Sequence, residues 1–336
     1  MKIGIAGAGL VGRLMAWRLA RAGHQVTVCD PAAGPERGPQ CAAAFTAAGL
    51  LTPLAELDRG EAVIAELGWR SLGLWRRWLD ELEEPVHFAQ RGSLLLAHPG
   101  DRASAQRLLA RIQVHAPQRP PRELGADELH ALEPALLHGL HGWHLQGEGQ
   151  IHTVQALDGL ARAGSRAGVQ WCWSRTVREV APGRLDDLRF DHVIDARGLG
   201  ARPDLPLRGV RGEVFWLHAP RLQLSHPLRL LHPRHRVYML PRPGDIVVVG
   251  ASEVESEDRS PVSLRSTLEL LSAAHSVLPE LAEARIVHNE SNLRPALPDN
   301  LPQLHTAPGL TRLNGLFRHG WLVAPALVEQ AIAELA

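Results

Sequence analysis

The sequence predicts an α/β chain, α+β overall, in which stretches of a helix-flanked parallel sheet alternate with stretches of an antiparallel one. Three observations carry this. The first 30 residues read strand, helix, strand. From about residue 208 to 250 the pattern switches to β-rich segments with a two-residue period. Helix and short-strand patterns return in the middle of the chain and at its C-terminus. The expected division is interleaved: 1–80, 145–207 and 291–336 in one domain, 81–144 and 208–290 in the other.

The elements follow in order. "KIGIAGAG" is a short apolar strand. "LVGRLMAWRLARAG" has apolar residues at helical spacing, and "HQVTVCD" is a β-branched strand. A Pro/Gly/Ala-rich loop spans roughly 31 to 43. The next helix places Trp69, Leu72, Trp75 and Leu79 on one core-facing side. "GSLLLAH" is a strand, "RASAQRLLARIQVH" and "GADELHALEP" are helices, and "VQALDGLARAGSRAG" is a helix followed by the strand "VQWCWSRTVREV". "FDHVIDARGLGA" runs from a strand into a glycine turn. "RGEVFWLHA", "HRVYMLPR" and "DIVVVGAS" form the antiparallel region. "SLRSTLELLSAAHSVLPEL" is amphipathic, "ARIVHNESNLRPALPD" is expected to leave the antiparallel sheet, and "GLTRLNGLF" is a further strand. "APALVEQAIAELA" closes the chain as a helix with Pro325 expected in its first turn.

Composition narrows the function classes. Thirty-six basic and 36 acidic residues give a formal net charge of zero, which argues against a nucleic-acid surface or a polybasic membrane anchor. Lys2 is the only lysine, a bias that reads as genome composition. Cys29, Cys41 and Cys172 form no CxxC pair, as expected in a reducing compartment. No apolar run reaches about 18 residues, and no cleavage site follows the apolar start. A soluble cytoplasmic protein is expected. "HGLHGWH" spaces His138, His141 and His144 three apart, but the segment is glycine-broken and lacks a Cys or carboxylate at ligand spacing, so no metal is expected.

Gly7, Gly9 and Gly12 form G-x-G-x-x-G between a strand and a helix. The first glycine permits the tight turn, the second lets a pyrophosphate approach the backbone, and the third lets helix and strand pack closely. The helix N-terminus adds free N–H groups. Asp30 ends the second strand, where a carboxylate can bind ribose hydroxyls. This Rossmann-like fingerprint predicts an adenine dinucleotide and leaves NAD and FAD open. Three later features favour FAD: the glycine turn in "VIDARGLGA", the small-residue loop "TAAGLL", and the "LFRHGWLVAPALVEQAI" segment. In the last, a turn at Gly320 aims a helix N-terminus, which would stabilise negative charge on a reduced flavin.

Taken together, "GAGLVG", "TAAGLL", "GEGQI", "VIDARGLGA", "VRGEVFWL", "VYMLPRPGDIVVVGAS", "NLRPALPD" and "FRHGWLVAPA" resemble, in order, the D-amino-acid oxidase and sarcosine oxidase superfamily, and within it the glycine oxidases of thiamine biosynthesis. The resemblance implies non-covalent FAD and a substrate domain covering the flavin. It implies oxidation of a small amino acid (glycine, a D-amino acid or N-methylglycine) to its imine by hydride transfer to flavin N5. O2 would reoxidise the flavin to give H2O2, and the imine would pass to a thiazole synthase. A dehydrogenase feeding a quinone or other carrier, and a non-catalytic dinucleotide-binding module, are the alternatives. Oligomers occur in the family, but no interface is legible here.

By resemblance, Arg294 holds the substrate carboxylate, since a planar guanidinium makes two parallel charge-assisted bonds to it. Tyr238, the only tyrosine, adds its hydroxyl, and Arg318 passes beside flavin and substrate. Arg236, also expected to bind substrate, stands where the glycine oxidases carry a histidine, and Leu316 and His319 also depart from their pattern. Cofactor contacts are expected from Gly7, Ala8, Gly9, Leu10, Val11 and Gly12; from Asp30 and Pro31; and from Ala43, Ala44, Ala47, Ala48, Gly49 and Leu50. Further contacts are expected from Val177, Ala196 and Gly198, and from Arg318, His319, Gly320, Trp321 and Leu322. Alternation puts His235, Val237 and Met239 on one face of their strand and Arg236, Tyr238 and Leu240 on the other, which should look toward the flavin. No acid–base residue is expected, because orientation supplies much of hydride transfer.

Overall fold

A computed structural model describes residues 1–38, 41–232 and 236–335. Lys2–Ala6, Leu10–Arg21 and Gln25–Cys29 form the expected strand–helix–strand. Among the described residues they belong to a six-stranded sheet, in the order Gln303–Ala307, Leu310–Asn314, His192–Asp195, Lys2–Ala6, Gln25–Cys29, Gln170–Cys172. Neighbours are parallel except for the outer 303–314 hairpin. Parallel neighbours need long crossovers, and the second sheet is inserted in those crossovers. The strand expected across 169–180 is cut to Gln170–Cys172. The chain turns at Ser174 (φ +57°), whose N–H goes to the Ala32 carbonyl at 2.8 Å.

The helix Leu10–Arg21 contacts Thr153–Arg166 and Gly320–Leu335, and the last packs on Ala62–Leu79. Leu14, Met15, Leu72, Trp75, Leu157 and Val328 fill the space between them. Trp78 is buried there too, whereas Trp69 is only partly buried, under the Arg119 guanidinium at 3.9 Å.

The final helix departs from expectation. It begins at Gly320, and Pro325 lies inside it. Proline has no N–H, so the Trp321 carbonyl one turn earlier loses its helical donor. The Trp75 indole N–H takes that place at 2.8 Å, and the N–H of Ala326 donates to Ser71 Oγ at 3.1 Å. The neighbouring helix satisfies the backbone that the proline frees, and the two indoles stack at 5.5 Å.

Among the described residues the second sheet has eight strands, antiparallel except where Leu228–Leu231 meets Ser93–Ala97: Arg285–Ala296, Arg208–His218, Ile246–Gly250, Arg236–Arg242, Leu228–Leu231, Ser93–Ala97, His141–Leu145, Arg122–Leu124. Here too one expectation is corrected. Residues 285–296 do not leave the sheet; they pair with Arg208–His218 from His218↔Arg285 to Arg208↔Ala296. Pro295 fits because this is an edge strand, with no partner on its outer side to lose a bond. The boundary expected at residue 291 falls inside this strand.

The sheet alternates with a period of two. Phe215, Leu217, Val237, Met239, Val247 and Val249 are buried in a core that includes Leu270 and Ala274 of the helix Leu264–His275. The residues between them face the other way, as expected for Tyr238 and Arg236. His235, assigned to the first face, lies outside the described residues.

Candidate active site

A cleft of ≈ 1240 Å³ opens between the C-terminal ends of the parallel strands and the second face of the antiparallel sheet. That is where open α/β sheets bind ligands. Every residue expected to touch cofactor or substrate lines it except Ala8 and Gly12.

At the fingerprint end, Gly7 has φ +99°, and a β-carbon on Gly12 would stand 1.8 Å from the Gly7 carbonyl oxygen. Gly12 is therefore a packing residue. A β-carbon on Gly9 would meet only Ala42, at 3.5 Å, so this position borders open space. The Ala8 N–H donates to Asp30 Oδ2 at 2.6 Å, and the Ala32 N–H donates to Oδ1 at 2.8 Å. Asp30 thus ties the turn to the second strand while facing the cleft. Arg13 was missed from the sequence, where nothing separates it from a surface arginine. It is buried and donates to the carbonyls of Ala8 (2.8 Å), Leu157 (2.8 Å) and Pro35 (2.7 Å). Burial lowers its pKa to about 10 against the pull of Asp158 and Asp30.

Small residues Ala43, Ala44, Ala47, Ala48 and Gly49, with Leu50, form one wall, and Val177, Ala196 and Gly198 line the cleft as well. The Trp321 indole donates to the Ala44 carbonyl at 3.0 Å and locks this wall to the final helix. Gly320, Trp321 and Leu322, the first turn of that helix, line the cleft. First-turn N–H groups have no acceptor within their own helix, so a positive dipole end faces the cavity.

At the other end, Arg229, Arg236, Tyr238 and Arg294 reach the cleft from the sheet. Arg294 donates to the carbonyls of Ser252 (3.0 Å) and Arg211 (3.3 Å). Burial pushes the Tyr238 phenol up to about 12, against the pull of Arg294 and Arg229, so it is a neutral donor near pH 7.

No local sequence signal marks the acidic residues facing these arginines. Glu56 Oε1 accepts from Arg229 at 2.6 Å, while Oε2 lies 3.2 Å from both Arg318 and His319 Nδ1. Burial alone would raise the Glu56 pKa, but Arg318, Arg229 and His319 outweigh it and hold the carboxyl well below its usual range. Asp58 pairs with Arg236 at 2.6 Å, and Glu253 with Arg318 at 3.3 Å and Arg59 at 3.5 Å. Arg236 is thus already neutralised. Behind Glu56, the buried Glu148 accepts from the N–H groups of Leu54 (2.6 Å) and Ala55 (3.1 Å) and from the Ser93 hydroxyl. Burial raises its pKa to about 7.

Among the described residues, no three His, Cys, Asp or Glu side chains gather as metal ligands. Instead the His138 ring lies beside His130 at 4.4 Å and His144 beside His226 at 5.8 Å. Among the described residues no helix is long and apolar enough to cross a membrane.

Comparison with known proteins agrees with this geometry. Residues 2–335 match the family described as FAD dependent oxidoreductase. The chain is 34% identical over 337 residues to a Rhizobium etli protein carrying the name of a thiamine biosynthesis oxidoreductase, covering 100% of this chain and 96% of that one. The crystal structure of glycine oxidase from Geobacillus kaustophilus superposes with a TM-score of 0.87 at 25% identity, covering 99% of this chain and 94% of that one. That of iminodiacetate oxidase from Chelativorans sp. BNC1 gives 0.86 at 26%, covering 99% and 95%.

Proposed function

The chain belongs to the FAD-dependent oxidoreductase family, and on that premise we propose that it oxidises a small amino acid, glycine or a close analogue, to its imine. FAD is the cofactor of this family, and the cleft fits it. Gly9 borders open space where a backbone must approach a pyrophosphate, two helix N-termini open into one cavity, and one of its walls is built of small residues. Gly7, Gly9, Leu10, Val11 and Asp30 would hold the adenine dinucleotide end. The Ala43–Leu50 wall and the first turn of the final helix would hold the flavin. Bound FAD supplies the hydride acceptor, which O2 regenerates with release of hydrogen peroxide.

The observation that carries the substrate reading is Arg294. The other guanidiniums at this end, those of Arg229, Arg236 and Arg318, are ion-paired to Glu56, Asp58 and Glu253. Arg294 donates instead to two backbone carbonyls, which satisfy hydrogen bonds but do not balance its charge. A substrate carboxylate balances it through charge-assisted bonds. Tyr238, on the same face, adds a neutral O–H donor to that carboxylate. With the acid end fixed, the amine-bearing carbon is oriented for transfer, and no protein base is required once the amine is neutral. The names of the relatives support glycine as the amine and thiamine biosynthesis as the use of the imine.

The experiment is an anaerobic panel of small amines added to the FAD-loaded protein, with loss of flavin absorbance as the readout. Bleaching by glycine or another α-amino acid, and not by amines without a carboxylate, is expected. Indifference to every amino acid would overturn the reading, and peroxide release in air tests the acceptor.

A further inference from the structure

Arg294 is held from behind by a buried ionic node centred on Glu213, at the border of the cleft. Glu213, 0% exposed, projects from the strand Arg208–His218 on the face opposite Arg294. Its Oε1 accepts from Arg211 Nε (3.0 Å), Arg211 Nη2 (2.7 Å) and the Ser263 N–H (3.0 Å), and its Oε2 accepts from Ser252 Oγ at 3.1 Å. The Glu213 N–H in turn donates to Ser252 Oγ at 3.0 Å. Arg211 also donates to the carbonyls of Asp258 and Pro261, both at 2.7 Å. One carboxylate therefore fixes both ends of the segment 251–263, which leaves the sheet after Gly250 and borders the cleft.

Two of the residues tied to this carboxylate, Ser252 and Arg211, are the two whose carbonyls accept from Arg294. A carbonyl constrains a guanidinium only as well as its own backbone is held. Backbone pairing with the strand sets the path of this stretch, through the Ser252 N–H to the Glu213 carbonyl at 3.3 Å and the Arg211–Val254 bonds at 2.9 and 3.0 Å, and the carboxylate's tie to the Ser252 hydroxyl adds the side-chain anchor. We propose that Glu213 is a positioning residue for recognition of the substrate carboxylate, acting through Ser252 and Arg211 on the orientation of Arg294.

This rests on Arg294 as carboxylate receptor, and the test separates the two. Acetate serves as a minimal carboxylate probe, its dissociation constant read by calorimetry on FAD-loaded protein, with flavin content and thermal midpoint measured in parallel. Arg294→Ala is the control: unchanged acetate affinity there sinks the receptor reading itself. Glu213→Gln is expected to weaken acetate by about tenfold, and Ser252→Ala, which keeps the buried Arg211–Glu213 pair, by several-fold. In both, KM for the amine rises while kcat at saturation holds. A merely structural role would lower the flavin content or the midpoint and leave the acetate affinity of the folded holoprotein unchanged. Should Glu213→Gln fail to fold, Ser252→Ala decides. Wild-type acetate affinity in the folded variants, with Arg294→Ala impaired, overturns the proposal.

Discussion

Arg294 and Gly212 occupy adjoining space: a β-carbon on Gly212 would stand 2.3 Å from Arg294 Nη2 and 2.4 Å from Cζ. The sheet register explains the contact, since Val210 is opposite Arg294 and Gly212 is the next position on the same face. The guanidinium can lie down on the sheet only because that position carries no side chain. In Gly212→Ala the mobile end of the arginine should yield rather than the strand. The expected result is a folded, flavin-loaded protein whose KM is raised at least tenfold, about 1.4 kcal/mol. An unchanged KM would place the carboxylate elsewhere.

Arg294→Ala removes the charge itself. Truncating one partner of a charge-assisted pair costs roughly 2–5 kcal/mol, so kcat/KM should fall by at least an order of magnitude, mostly through KM. Steady-state kinetics with the best amine of the panel checks this.

Tyr238 repeats the arrangement one strand pair away. It is opposite Gly250, where a β-carbon would stand 2.6 Å from the phenol oxygen. Tyr238→Phe keeps the ring and loses one neutral hydrogen bond, about 1 kcal/mol. Fold and flavin content should survive while acetate and substrate bind several-fold more weakly. Wild-type affinity would make Tyr238 a packing residue.

Glu148 gives a pH signature. Its folded pKa is raised to about 7, so between its ordinary carboxylate range and 7 the folded state keeps a proton that the unfolded state has lost. Stability from this group therefore falls as pH rises through that window, by about 3 kcal/mol at ~1.4 kcal/mol per unit. Glu148→Gln can keep one acceptor for Leu54 and Ala55 and offer a donor to Ser93. Denaturant unfolding across the window should show wild type losing stability relative to the variant as pH rises. Parallel curves would show that Glu148 does not titrate there.

Trp75→Phe probes the proline in the final helix. It keeps an aromatic ring on Trp321 but leaves the Trp321 carbonyl without the donor that replaced its helical partner. A buried unpaired acceptor costs about 1–3 kcal/mol, and a matching drop in unfolding free energy is expected. Because Trp321 lines the cleft, flavin retention should weaken as well.

The sequence was most legible where backbone chemistry dictates residue type. Gly7 and Gly12 announce a tight turn because no other residue fits, and Tyr238, Arg294 and Arg318 were picked out because their surrounding motifs are distinctive; all three line the cleft. The period of two placed Val237 and Met239 in the core and Tyr238 in the cleft. The misreadings have physical causes. Pro295 suggested a chain leaving the sheet, yet an edge strand tolerates it. Pro325 suggested a helix start, yet a tryptophan from another helix supplies the missing donor. Glu56 and Asp58 carry no local signature, and Glu148 and Glu213 lie inside "GEGQI" and "VRGEVFWL" with no role legible there, because their roles come from long-range partners. Arg229 lies 173 residues from Glu56 along the chain.

The two-residue alternation also divides mutational risk. Leu228, Leu230 and Met239 pack in the core with Leu270 and Ala274, while their neighbours Arg229 and Tyr238 line the cleft. A protein built this way can explore new substrates through Arg229, Arg236 and Tyr238 while its hydrophobic positions stay fixed. Diversity libraries confined to those alternate codons should stay folded far more often than libraries of equal size spread over consecutive ones.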